Sequence, residues 1–181
     1  LAIVDGTVCE GCRDAHVDAL GAATGKKRWD YPTSKSWVIG DPAVRDGDVC
    51  VSTSDSARVV TLDAKTGRVF WLYRYTPSPD ARVCCGANNR GVAILGDTLF
   101  MGTLDGHLVA IDAKNGRPLW NVAVADVKLA YSITLAPLVV KDRVIVGVGG
   151  GEFGIRGFVA AFDPKTGKEI WRFYTIPAPG E

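Results

Sequence analysis

Four times in this chain a Thr-Gly or Asn-Gly pair is followed, four residues after the glycine, by a tryptophan. The copies are Thr24-Gly25-Lys26-Lys27-Arg28-Trp29, Thr66-Gly67-Arg68-Val69-Phe70-Trp71, Asn115-Gly116-Arg117-Pro118-Leu119-Trp120 and Thr166-Gly167-Lys168-Glu169-Ile170-Trp171. In the last three an aspartate (Asp63, Asp112, Asp163) stands eight residues before the tryptophan; in the first, Gly21 takes that place. Successive tryptophans are 42, 49 and 51 residues apart. Self-similarity at this period marks a chain built from small stacked units rather than around one core. Residues that break the pattern are then the ones to examine for chemistry.

Within each unit a short apolar run enters a tight turn, as at Val44-Arg45-Asp46-Gly47 and Ile94-Leu95-Gly96-Asp97. A β-rich run follows, then a second turn, clearest at Asp105-Gly106, and then a third run such as Leu108-Val109-Ala110-Ile111. The Thr-Gly or Asn-Gly turn leads into the tryptophan strand. Asp, Asn and Gly accept positive φ cheaply, so such turns join antiparallel neighbours. No stretch keeps the 3.6-residue period for three turns, and 21 glycines and 9 prolines interrupt every helical candidate. The expected fold is all-β: a β-propeller of four-stranded antiparallel blades. One such segment spans 1–181, with repeats near 1–31, 38–73, 90–122 and 135–174. The repeated tryptophan reads as a spacer between adjacent sheets, its N–H satisfied locally.

Charge excludes several classes of function. Lys plus Arg total 21 against 20 Asp plus Glu, which leaves no electrostatic footprint for nucleic acid or an anionic membrane. No run of about 18 apolar residues offers a transmembrane segment. The opening Leu1-Ala2-Ile3-Val4 has neither a basic stretch nor a cleavage-type segment, so no targeting signal is expected and the chain reads as part of a longer protein.

Two segments, 73–91 and 123–136, exceed what a bare blade needs, and long loops on a rigid scaffold are where sites sit. The first carries Cys84-Cys85. If oxidised, adjacent cysteines close a small ring with Cα atoms no more than about 3.8 Å apart, a flat apolar plate suited to a planar ligand. The alternative is two buried neighbouring thiols. Gly149-Gly150-Gly151-Glu152-Phe153-Gly154 matches the dinucleotide spacing G-x-G-x-x-G, but another strand-like run follows it and no helix is available for a pyrophosphate. What remains is side-chain-free backbone delivering one carboxylate, Glu152, either to a hard cation or to solvent. Arg90 offers a planar fork for oxygen ligands, or is a surface charge. Cys9-Glu10-Gly11-Cys12 has C-x-x-C spacing, but Arg13 stands where a haem-attachment histidine is needed. That pair and Cys50 read as structural, and His16 and His107 as turn residues.

From about residue 41 to the end, the chain resembles the quinoprotein alcohol dehydrogenases, the methanol and ethanol dehydrogenases that depend on pyrroloquinoline quinone (PQQ). The carriers are Val83-Cys84-Cys85, Asn89-Arg90-Gly91, Gly102-Thr103-Leu104-Asp105-Gly106, Ile133-Thr134-Leu135-Ala136-Pro137, Gly150-Gly151-Glu152-Phe153-Gly154-Ile155-Arg156-Gly157 and Trp171-Arg172-Phe173-Tyr174. Residues 1–40 match only the generic blade repeat. The resemblance implies half of an eight-bladed propeller with PQQ near its axis. It implies a vicinal Cys84–Cys85 disulfide over one face of the quinone, with Arg90 and Thr134 bonded to its oxygens and the backbone of Gly149, Gly150 and Gly151 beside it. Glu152 becomes a ligand of the metal, calcium or a lanthanide.

The same resemblance implies a small alcohol as substrate, a cytochrome c as electron acceptor, the remaining blades or a second copy as partner, and a periplasmic location. The catalytic aspartate, the tryptophan under PQQ and the other metal ligands are expected beyond Glu181, so no catalytic residue is assigned here. Departures from the family are Ile39 for a glutamate, Gly86 for aspartate, Gly151 for alanine, and Gly21 and Asp18 in a divergent first unit. The competing expectation is a non-catalytic propeller of the same repeat that binds protein partners, as in outer-membrane assembly lipoproteins.

Overall fold

The computed structural model describes residues 1–55 and 57–180. Among these described residues, sixteen strands fall into four sheets, each a meander in which consecutive strands pair antiparallel. The first holds β1 (Ala2–Val4), β2 (Thr7–Gly11), β3 (His16–Gly21) and β4 (Lys27–Pro32). The second holds β5 (Ala43–Arg45), β6 (Asp48–Ser52), β7 (Arg58–Asp63) and β8 (Val69–Arg74). The third holds β9 (Ala93–Leu95), β10 (Thr98–Gly102), β11 (His107–Asp112) and β12 (Pro118–Ala123). The fourth holds β13 (Leu138–Val140), β14 (Arg143–Gly147), β15 (Phe158–Phe162) and β16 (Glu169–Tyr174). The opening strands β1, β5, β9 and β13 adjoin one another in order, as the inner strands of propeller blades do.

The recurrent aspartate makes the turn into the last strand of its sheet. Asp63 Oδ1 accepts from the amides of Lys65 and Thr66 and from the Thr66 hydroxyl, at 2.8–2.9 Å. Asp163 repeats the pattern with Lys165 and Thr166. These bonds hold both carboxyls below the usual aspartate range. A bulge follows at the same place in each sheet: Ala19/Leu20, Thr61/Leu62, Ala110/Ile111 and Ala161/Phe162.

Between sheets the tryptophan is the joint. The sequence reading has its N–H satisfied locally; the acceptor in fact lies in the next sheet. Trp29 Nε1 donates to the Ala64 carbonyl, Trp71 to Ala113 and Trp120 to Pro164, at 2.9, 2.8 and 3.1 Å. The ring lies over the glycine of the next turn. A Cβ on Gly116, where φ is +74°, would come within 2.6 Å of the Trp71 ring. Only glycine accepts both that backbone and that approach. Three apolar clusters fill the spaces between consecutive sheets, for instance Cys50, Val59 and Trp71 against Leu99, Met101, Val109 and Ile111. Trp171, in the fourth sheet, is 43% exposed, against 9% for Trp71.

Besides Gly21 at the turn, the first sheet diverges at a second cross-strand pair. Val51↔Val60, Met101↔Val109 and Val146↔Ala160 occupy equivalent positions in the other three sheets. Glu10↔Asp18 stands there in the first. Like charges directly opposite are unfavourable; Lys27 Nζ, 2.8 Å from Asp18 Oδ1, offsets them.

Candidate functional site

Three irregular segments meet beside the third and fourth sheets: the β8–β9 connection, the β12–β13 connection and the β14–β15 loop. Together they line a cavity of about 220 Å³. Cys84, Cys85 and Arg90 come from the first, Ser132 and Thr134 from the second, and Gly149, Gly150 and Glu152 from the third. Of the residues the resemblance assigns to the cofactor and the metal, only Gly151 does not line it; it opens the short 3-10 turn Gly151–Phe153 that carries Glu152.

Cys84 and Cys85 are bonded to each other, with Cα atoms 3.8 Å apart. Both are exposed, so the alternative of two buried thiols is replaced by a disulfide plate facing open space. Asn88 Nδ2 donates to the Cys85 carbonyl at 2.9 Å and braces the peptide that follows the plate. Cys84 Sγ lies 3.3 Å from Glu152 Oε1; a disulfide sulfur has no proton to give, so this is a contact rather than a hydrogen bond.

The backbone of Arg90 is fixed by its amide, which donates to the Thr134 carbonyl at 3.0 Å. Its guanidinium reaches the same carbonyl at 3.4 Å and leaves its remaining donors directed to solvent and cavity. Across from it, Ser132 and Gly149 form an isolated antiparallel bridge, bonded in both directions at 2.8 and 3.1 Å. This bridge holds the glycine run against the segment bearing Thr134. Gly150 has φ +126°, and a Cβ there would lie 2.4 Å from the Ala130 carbonyl oxygen. The wall is therefore bare backbone by steric necessity.

Ser132, Asn88 and Phe153 also line the cavity and were not singled out from the sequence. Ser132 could have been found, because it stands two residues before Thr134 and extended chain places such residues on one face. His16 and His107 begin β3 and β11, and Cys9 and Cys50 are buried in β2 and β6, so none of the four belongs to this site. Among the described residues no three His, Cys, Asp or Glu side chains gather as a metal site. A cation beside Glu152 therefore needs ligands besides these.

The arrangement is a half-open slot with an apolar plate, a cationic fork, a hydroxyl and a carboxylate around a side-chain-free wall. The PQQ_2 family model, described as outer membrane protein assembly factor BamB, matches residues 1–155, and the chain belongs to that family. Its sequence is similar to the quinohemoprotein alcohol dehydrogenases of Pseudomonas putida. It is 51% identical to ADH IIB over 140 residues (75% of this chain, 20% of that protein) and 45% identical to ADH-IIG over 170 residues (91% and 23%).

Among solved structures, a europium-containing methanol dehydrogenase superposes with a TM-score of 0.71 at 39% identity, covering 78% of this chain and 26% of that one. BamB from Moraxella catarrhalis superposes with a TM-score of 0.64 at 20% identity, covering 94% and 62%, and at that identity shares the fold alone. The chain spans about a fifth of the length of the curated relatives it matches. No described helix is long and apolar enough to cross a membrane.

Proposed function

We propose that this chain forms the PQQ-holding part of a quinoprotein alcohol dehydrogenase that oxidises a primary alcohol to an aldehyde. The observation that carries this reading is the meeting of the exposed Cys84–Cys85 plate, Arg90, Thr134 and Glu152 around one cavity. These residues suit a flat, polyanionic quinone. The disulfide would pack against a ring face of the quinone and keep water from it. Arg90 presents N–H donors to carboxylate or carbonyl oxygens, and the Thr134 hydroxyl adds another. Gly149 and Gly150 let the ligand edge approach the backbone, with Gly151 behind them. Glu152 supplies a hard oxygen donor to calcium or a lanthanide. When bound, PQQ supplies the hydride acceptor and the cation supplies Lewis acidity toward it.

Among the described residues lining the cavity Glu152 is the only carboxylate, and as a cation ligand it is not free to take the alcohol proton. That acceptor is assigned to other blades of the enzyme, as are the walls that select the alcohol, and the electrons go to a cytochrome c partner. A periplasmic location agrees with a disulfide that must persist in an oxidising compartment. The alternative, a propeller that only binds proteins, needs neither the plate nor the carboxylate beside it.

The test is titration of PQQ into the intact chain with calcium or lanthanum, read from quinone absorbance and fluorescence. Saturable binding that weakens at least tenfold in Arg90→Ala supports the reading. Absence of binding with either ion, in a folded chain whose Cys84–Cys85 bond is intact, rejects it.

A further inference from the structure

The plate sits in a segment with no regular strand between Arg74 and Ala93. Among the described residues, backbone bonds hold only its ends, Tyr75 to Ala57 at one and Arg90 to Thr134 and Gly91 to Asp41 at the other; two buried polar residues add side-chain bonds that tie the segment to the third sheet. Asp105, 4% exposed, lies in the turn between β10 and β11. It accepts from the Tyr75 hydroxyl at 3.0 and 3.1 Å, from the Ser78 amide at 2.8 Å and from the Thr103 hydroxyl. Asn89, 6% exposed, donates Nδ2 to the Gly102 carbonyl and accepts from the Gly91 amide, both at 3.0 Å. Asp105 and Gly102 belong to one hairpin. Both ends of the excursion are thus tied to the same rigid element of the third sheet.

A buried carboxylate is tolerated only when its lone pairs are satisfied, and here the satisfying donors come chiefly from the loop. The turn itself does not need them. In the corresponding turn of the first sheet Asp14 spends its oxygen locally, on the His16 amide at 3.1 Å. Asp105 leaves that task to Thr103, whose hydroxyl accepts from the His107 amide at 2.9 Å. Its own oxygens reach out to residues 75 and 78. Asn89 directly precedes Arg90, so whatever moves one carries the guanidinium with it.

We propose that Asp105, acting with Asn89, is a positioning residue that fixes the Cys84–Cys85 plate and Arg90 opposite Thr134 and Glu152. Its consequence for catalysis rests on the quinone reading above. Burial and the nearby Asp105 charge push the Tyr75 hydroxyl up to about 12, so it remains a donor throughout the working range.

Three readouts on the intact chain test this: hydrogen exchange of residues 76–91, the rate at which dithiothreitol reduces Cys84–Cys85, and PQQ affinity with calcium. Hydrogen bonds to a charged group are worth enough to change a local equilibrium about tenfold. In Asp105→Asn, exchange in 76–91 and the reduction rate are each expected to rise about tenfold, with the strands of the first two sheets unchanged. Tyr75→Phe should give a smaller effect of the same kind, and the double variant should be no worse than Asp105→Asn alone. If Asp105→Asn does not fold, Tyr75→Phe carries the test by itself.

Altered exchange and reduction, with PQQ binding weakened about tenfold, support the proposal. Altered exchange and reduction in a chain that binds no PQQ support the positioning and reject the quinone reading. A lower melting temperature with unchanged exchange and reduction at the plate overturns the proposal, and leaves the quinone reading to its own titration.

Discussion

Cys84 Sγ and Glu152 Oε1 lie 3.3 Å apart across 68 residues of sequence. The plate and the acid reach the cavity from different sheets, so neither local turn chemistry nor one blade's packing accounts for the meeting. A carboxylate gains little from an apolar disulfide, which cannot donate to it. The juxtaposition makes sense as two walls of one slot.

From this follows the behaviour of Glu152→Gln. Glu152 is exposed, so the change should move stability by less than about 0.5 kcal/mol. Removing the formal charge of a hard oxygen ligand should instead weaken calcium or lanthanide binding by roughly tenfold or more. Isothermal titration with the metal in the presence of PQQ checks this. Equal metal affinity in the two chains would remove Glu152 from the cation site.

The tryptophan joint predicts a steep contrast between chemically identical substitutions. Trp71 is 9% exposed and bonded to the Ala113 carbonyl, so Trp71→Ala should cost about 3–5 kcal/mol. Trp171, 43% exposed, should cost well under half of that. Gly116→Ala attacks the same joint from the other side, forcing a Cβ into the Trp71 ring and a side chain into a left-handed conformation. About 1–3 kcal/mol is expected from the backbone conformation alone. Urea unfolding of the three variants ranks them.

Much of this was legible in the sequence because the repeat writes each sheet's turn chemistry locally: Asp63, Thr66 and Gly67 make their turn within a few residues. The plate, Arg90 and Glu152 were legible as exceptions to the repeat and through their resemblance to quinoproteins. The destination of the tryptophan N–H was not, since it lies in the following sheet, 35 residues on for Trp29. Asp105 was misleading for a related reason. As Asp-Gly it reads as an ordinary hairpin turn, and only the fold shows its oxygens turned toward Tyr75 and Ser78. Ser132 was within reach of the sequence, two residues before Thr134, but its bridge to Gly149 in another loop appears only in the fold.

Tyr75 gives the molecule a signature at alkaline pH. Burial first, and the Asp105 charge second, raise its hydroxyl from the ordinary value near 10 to about 12. Below about pH 10 both folded and unfolded chains keep this proton, and its stabilisation is fully present. Between about 10 and 12 the unfolded chain releases a proton that the folded chain retains, so stability falls as pH rises; above about 12 the contribution is gone. The urea midpoint of the wild type should therefore drop more steeply than that of Tyr75→Phe across this window. Parallel curves would mean that the hydroxyl titrates normally.

The cysteines should separate by reactivity. One disulfide, Cys84–Cys85, leaves Cys9, Cys12 and Cys50 as thiols. Burial pushes the Cys50 thiol up to about 11 and raises Cys9 as well, so both are protonated near pH 8 and shielded from reagent. Cys12 is half-buried, and burial with neighbouring carboxylates raises it too, which makes it slow rather than inert. Alkylation of the native oxidised chain should label Cys12 partially and the other two hardly at all. Brief reduction should then add label at Cys84 and Cys85 before any appears at Cys50, because the plate is open to solvent while Cys50 lies between the second and third sheets. Peptide mapping after a time course reads the order directly. Early labelling of Cys50 would mean that those sheets part more readily than their tryptophan joint allows.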